Sequence, residues 1–139
     1  MTLERRRTAL VTGGSRGIGA ATALALATHG YNVAFTYRNK QARADRVAAR
    51  INALDVRALP AQCDITHLDE MTALYSRIAQ WSGTLDALIL NASGGMERDL
   101  VAADPELTEK AFSCRKLPVT TSNRACGGLN SCICNHIGV

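Results

Sequence analysis

Gly13, Gly17 and Gly19 stand within seven positions in the stretch TGGSRGIG that directly follows an apolar run. Glycine costs backbone entropy, so the arrangement answers a need for side-chain-free backbone. Gly13 permits a tight turn out of a strand. Gly17 lets the main chain approach a pyrophosphate, and Gly19 lets a following helix pack closely on the sheet. A helix beginning here turns its first N–H groups and the positive end of its dipole toward phosphate oxygens. A nucleoside triphosphate loop needs Lys-Ser/Thr after its last glycine, and here Gly19 is followed by Ala20. The chemistry indicated is dinucleotide binding, with Gly13, Ser15, Arg16, Gly17, Ile18 and Gly19 as contacts. The competing reading is a glycine-rich turn that serves packing alone.

The residues that read the ribose come next. In dinucleotide sites an Asp or Glu at the end of the second strand accepts from the 2′-hydroxyl and selects NAD. Here that place holds Tyr37 and Arg38, followed by Asn39 and Lys40. No acid stands there to repel a 2′-phosphate, and Arg38 can grip one with parallel hydrogen bonds. Arg16 can approach the same group. NADP(H) is therefore expected over NAD(H); the alternative makes Arg38 and Lys40 a solvated turn.

These side chains need a scaffold. Thr8–Thr12 reads as a short buried strand, and Gly17–His29 as a helix with Ile18, Ala21, Leu24, Ala25 and Thr28 on one face and Gly30 at its end. Asn32–Tyr37 is a second strand. Lys40–Leu54 is a charged helix with an inner stripe of Val47, Ile51 and Leu54. Val56–Cys63 is a third strand whose Pro60 suits a sheet edge. His67–Trp81 is a third helix, buried through Leu68, Met71, Leu74, Tyr75 and Ile78. Leu85–Leu90 is a fourth strand of continuous apolar character. Alternating strands and helices predict an α/β fold with a parallel sheet. After Asn91 the pattern weakens, leaving a short helix over Asp104–Phe112 with Pro105 in its first turn.

The 139 residues suit one domain, and the net charge of +4 is unevenly spread. Residues 1–112 carry 13 Lys/Arg against 12 Asp/Glu; residues 113–139 carry Arg115, Lys116 and Arg124 with no acid. A body so near neutrality argues against nucleic-acid binding. The basic run Arg5–Arg7 precedes an apolar stretch too short for a signal peptide, and no run approaches a membrane span. A cytoplasmic protein is the default expectation.

The glycine loop resembles the Thr-Gly-x-x-x-Gly-x-Gly loop of the short-chain dehydrogenase/reductase family. CDIT at Cys63–Thr66 resembles that family's Asp after the third strand, and LNASGG at Leu90–Gly95 its Asn-Ala-Gly segment after the fourth. The resemblance covers about residues 8–112. It implies a Rossmann-like, doubly wound parallel sheet, here truncated after about four strands. It also implies that Asp64 and Ile65 border the adenine, that Asn91 steadies the loop after the fourth strand, and that Ala92 and Gly94 admit the nicotinamide ribose. Asp64 can equally cap the turn before the third helix.

The resemblance further implies an NADP(H)-dependent oxidoreductase acting on a small carbonyl or alcohol, and an oligomer is possible. Its proton donor is a Tyr-x-x-x-Lys pair. None exists here: Tyr31, Tyr37 and Tyr75 are followed four residues on by Phe35, Gln41 and Ala79. Ser122, ending KLPVTTS, is the sole candidate for the family's substrate-orienting serine, and it follows LNASGG too closely. The alternatives are a non-catalytic dinucleotide-binding module or an inert truncated product.

Residues 1–112 thus read as an incomplete dinucleotide-binding domain, and 113–139 as an atypical tail. Cys114, Cys126, Cys132 and Cys134 crowd the tail while its acids vanish. The spacing of Cys126, Cys132, Cys134 and His136 fits zinc poorly, so no metal is expected. A shifted reading frame would produce such a stretch. On that reading the tail has no fixed fold and the fourth strand keeps an open edge.

Overall fold

The computed structural model describes residues 5–92 and, for the backbone alone, Ser131–Cys134. The described elements run β1 (Thr8–Val11), α1 (Gly17–Thr28), β2 (Asn32–Tyr37), α2 (Gln41–Asn52), β3 (Ala58–Gln62), α3 (Leu68–Ser82), β4 (Ala87–Leu90) and β5 (Ser131–Cys134). The four expected strands and three helices are all present, with ends that differ by a few residues. The expected helix at Asp104–Phe112 lies outside the described residues, as do Gly94 and Ser122.

All pairings are parallel, and the sheet order is β3-β2-β1-β4-β5. β1 lies between β2 and β4, so the winding reverses beside it. Ligands of open α/β sheets bind at such a reversal, beyond the carboxyl ends of the strands. Among the described residues β3 is an edge strand, and its Pro60, opposite Phe35, removes a donor where no outer neighbour needs one.

The expected open edge of β4 is corrected. β5 runs alongside it, pairing Ala87 with Ser131 through Leu90 with Cys134. Four residues carry too little periodicity to announce a strand, whereas a neighbouring backbone ladder can recruit almost any short extended segment.

Alternation along the strands divides the core in two. Leu10, Leu88 and Leu90 face α3, where Met71, Leu74, Tyr75 and Ile78 cover them. Ala9, Val11, Val33, Phe35 and Ile89 face α1 and α2. β1 and β4 are buried along their whole lengths, which explains their predominantly apolar character.

Several expected core positions fall elsewhere. α1 buries Gly19, Ala23 and Ala27, not the stripe through Ile18, Ala21, Ala25 and Thr28; Ile18 is 52% exposed. The smallest residues face the sheet because α1 must lie close to it at its glycine end. Leu54 lies beyond the end of α2 and Leu68 opens α3 on its outer side, and both are exposed.

The amino-terminal basic run is structural. Arg5 pairs with the buried carboxylate of Asp86 at 2.9 Å, Arg6 donates to the carbonyl of Asp55, and the Arg7 guanidinium lies 4.4 Å from the centre of the Tyr31 ring. Asp86 also accepts from the N–H of Thr8 at 2.8 Å. Burial pushes the Asp86 carboxyl up. The Thr8 bond, the Arg5 bond and the charges of Arg5 and Arg7 outweigh it and hold the carboxyl below its ordinary value. Cys63 is buried, with its thiol 3.6 Å from the Met71 sulfur; burial first, then Glu70 and Asp64, push its pKa up to about 11. Such a thiol stays protonated and inert.

Candidate functional site

The site is built where β1 ends. Gly13 has φ +69° and Gly17 φ +54°, the left-handed region that favours glycine. Between them the chain leaves the sheet and starts α1 at Arg16, whose own backbone is extended. The turn is tied to β2: Gly13 donates its N–H to Thr36 Oγ1 at 2.9 Å, and Gly14 donates to the Thr36 carbonyl at 3.0 Å.

Each glycine answers a different steric demand. A Cβ on Gly19 would lie 2.1 Å from the Gly13 carbonyl oxygen and 2.6 Å from Asn91 Nδ2, so helix and loop touch through bare backbone. A Cβ on Gly14 would lie 2.5 Å from Phe35 Cβ. Gly17 is the opposite case: among the described residues, nothing lies within 4 Å of where its methyl would stand. Its backbone faces open space at the first turn of α1. No side chain caps that turn and no acidic residue lies in it.

The segment after β4 closes the crevice from the other side. Asn91 Nδ2 donates to the carbonyls of Thr12 and Gly13 at 3.2 and 3.3 Å. The N–H groups of Asn91 and Ala92 both donate to Thr12 Oγ1, at 3.0 and 3.1 Å. A Cβ on Gly13 would meet Ala92 Cα at 3.1 Å. Asn91 and Ala92 therefore border the glycine loop. Thr12, Gly14 and Thr36 are structural members of the site that sequence reasoning missed. The doubled Gly13-Gly14 was the available signal for Gly14. Thr36 looks like an ordinary strand residue until its partner is known.

A second cluster forms at the carboxyl ends of β2 and β3. Arg38 Nε lies 3.2 Å from Asp64 Oδ2, and Gln62 Nε2 donates to the Arg38 carbonyl at 3.0 Å. Asp64 Oδ1 accepts from Thr66 N and Thr66 Oγ1 at 3.0 and 2.7 Å, capping the turn before α3. The Asp64 N–H donates to Glu70 Oε2 at 2.7 Å, and His67 Nδ1 lies 3.3 Å from Glu70 Oε1. Hydrogen bonds from the Thr66 hydroxyl and N–H, with help from Arg38 and His67, hold the Asp64 carboxyl below its usual range despite some burial. The Ile65 side chain is buried in the core beneath α3.

Tyr75 is buried in α3, Tyr31 lies under Arg7 just before β2, and Tyr37 ends β2 with Gln41 four residues on. Among the described residues no group of His, Cys, Asp or Glu is placed to hold a metal ion, and no helix is long and apolar enough to cross a membrane.

A parallel sheet that reverses at β1, with a left-handed glycine turn leading into α1 at the reversal, defines a Rossmann-like α/β protein. The family model for short chain dehydrogenases matches residues 7–125, and the chain belongs to that family. It is 39% identical over 97 residues to the 3-oxoacyl-[acyl-carrier-protein] reductase FabG of Staphylococcus aureus, covering 70% of this chain and 39% of that protein. It is 44% identical over 84 residues to the uncharacterized oxidoreductase YgfF of Escherichia coli, covering 60% of this chain and 34% of that protein. Among solved structures it is similar to a short chain dehydrogenase from Burkholderia cenocepacia in complex with NADP, with a TM-score of 0.77, 36% identity, and coverage of 90% of this chain and 51% of that one. The chain thus spans about half the length of that structure and less of the two other relatives.

Proposed function

We propose that the chain is the cofactor-binding half of an NADP(H)-dependent short-chain oxidoreductase of the carbonyl/alcohol class. One observation carries the reading: the open, uncapped first turn of α1 at Gly17, set at the sheet reversal and braced by Asn91. A diphosphate fits there, because the backbone approaches without a side chain and the helix dipole favours its charge. Gly13, Ser15, Arg16, Gly17, Ile18 and Gly19 would hold the diphosphate end. Arg38 would take the 2′-phosphate, and Asp64 with the backbone of Ile65 would border the adenine. Asn91 and Ala92, with Gly94 beyond the described residues, would flank the nicotinamide ribose. The relative from Burkholderia, solved with NADP, supports the phosphorylated form.

Bound NADP(H) supplies the hydride, and the protein must supply orientation and a proton. Within these 139 residues no tyrosine precedes a lysine by four positions. This favours a second reading, a module that binds the dinucleotide without reducing a carbonyl by itself. Ser122 is the remaining candidate for orienting a substrate. A small carbonyl or alcohol substrate, a cytoplasmic setting and an oligomeric partner belong to the proposal for the family activity.

Two assays separate the readings. Calorimetric titration with NADPH is expected to show one site per chain; no binding would contradict both readings. NADPH oxidation with a panel of small ketones and aldehydes is expected to show no turnover by the isolated chain. Turnover would return the catalytic reading to first place and require a proton donor of another type.

A further inference from the structure

We propose that Asp64 is a positioning residue for 2′-phosphate recognition: by holding the Nε edge of Arg38 it presents the two terminal guanidinium nitrogens as a fork. The proposal rests on the reading of Arg38 as the phosphate ligand and adds a specificity-determining role to a residue otherwise assigned to the adenine.

The two partners are unequal. The Asp64 side chain is 19% exposed and anchored, with Oδ1 accepting from Thr66 N and Thr66 Oγ1 and its own N–H on Glu70. The Arg38 side chain is 70% exposed, and Gln62 donates to its backbone carbonyl. The fixed group is therefore the carboxylate, and the guanidinium is the group being placed. The contact runs from Nε to Oδ2 at 3.2 Å. Among the described residues neither terminal nitrogen of Arg38 makes a hydrogen bond. The guanidinium is planar, so an ion pair on its Nε side leaves both terminal groups free to fork onto a phosphate.

The carboxylate also brings a negative charge near the phosphate. At a site this exposed, water and salt screen that repulsion strongly. Orientation is the larger effect, because an unheld surface arginine must give up its rotamer freedom when the phosphate arrives.

The test compares adenosine 2′,5′-bisphosphate with 5′-AMP on the full 139-residue chain, by calorimetry at fixed ionic strength. The ratio of the two affinities isolates the 2′-phosphate, because any contact of Asp64 with the adenine affects both probes alike. Asp64→Asn retains an oxygen for Thr66 and sets a neutral amide NH2 against Arg38. It is expected to lower the ratio about fivefold. Arg38→Lys keeps the charge and removes Nε; it should lower the ratio similarly, and Asp64→Asn added to it should change the ratio less than about twofold. Because Arg38 is exposed, this second arm remains readable if Asp64→Asn fails to fold: an Arg38→Lys ratio equal to that of the unaltered chain then overturns the proposal. An unchanged or raised ratio in Asp64→Asn, or a further large drop on the lysine background, overturns the positioning role. If the unaltered chain shows no preference, or Arg38→Ala leaves the preference intact, the reading of Arg38 itself has failed.

Discussion

Asn91 reaches back 79 residues to Thr12, its N–H donating to the threonine hydroxyl at 3.0 Å and its side-chain amide to the threonine carbonyl at 3.2 Å. The ends of β1 and β4 are thereby fastened together below the glycine loop. Thr12→Val removes an acceptor shared by two N–H groups and should cost about 1–3 kcal/mol. Asn91→Ala should cost about 1–2 kcal/mol, and the double variant less than the sum, because the two share one network. Urea denaturation of the four proteins measures this; strict additivity would mean the latch is not a unit.

Gly19 and Gly17 should fail in different ways. At Gly19 a methyl collides with backbone at 2.1 Å, so Gly19→Ala is expected to destabilise the fold by about 2–4 kcal/mol. At Gly17 the methyl meets nothing among the described residues, and only the φ of +54° opposes it. Gly17→Ala should cost about 1–2 kcal/mol of stability and yet weaken NADPH at least about tenfold, because its methyl stands where the diphosphate approaches. Paired melts and titrations would show the split. Equal losses of stability would refute the assignment of the two roles.

The hydroxyl of Thr8 is wholly buried and has no hydrogen-bond partner among the described residues. Burying an unpaired hydroxyl costs free energy that an isosteric methyl does not. Thr8→Val should therefore stabilise the chain by about 1 kcal/mol, read as a shift of the urea midpoint at unchanged slope. A loss of stability would mean the hydroxyl has a partner after all.

Acid should weaken the fold through Asp86 and Asp64. Both carboxyls are held below their ordinary values in the folded chain. Their contribution is fully present above the unfolded carboxylate value of about 3.9 and is lost as pH falls through the lower folded values. Stability should stay level from neutrality to about pH 5 and decline below about pH 4. Asp86→Asn should be about 1–3 kcal/mol less stable at neutral pH, with a shallower acid limb. Denaturation series from about pH 3 to 7 would show it; an equally steep limb in the variant would place the acid sensitivity elsewhere.

Much of this was legible in the residues. The alternation of strands and helices, the edge position of Pro60 and the turn at Gly13 follow from local chemistry alone. The inward face of α1 was not legible, because apolar periodicity points to the larger residues, whereas Gly19 demands close packing and so turns Ala23 and Ala27 inward. The Arg5–Asp86 pair was equally hidden: a run of three arginines looks like a solvated or targeting segment until the fold brings β4 beside it. β5 left no trace, since four residues acquire strand geometry from the β4 backbone and not from their own side chains. Asp64 read as a turn cap, but its meeting with Arg38 depends on β2 and β3 ending side by side.

The central claim is that the corner between β1 and α1 receives a dinucleotide and that Arg38 selects the phosphorylated form. The most direct measurement is the dissociation constant of the 139-residue chain for NADPH and for NADH under one set of conditions, repeated with Arg38→Ala. The account predicts that NADPH binds at least about tenfold tighter than NADH, and that Arg38→Ala removes the difference while leaving NADH within about twofold. Equal affinities in the unaltered chain, or no binding of either, would contradict it.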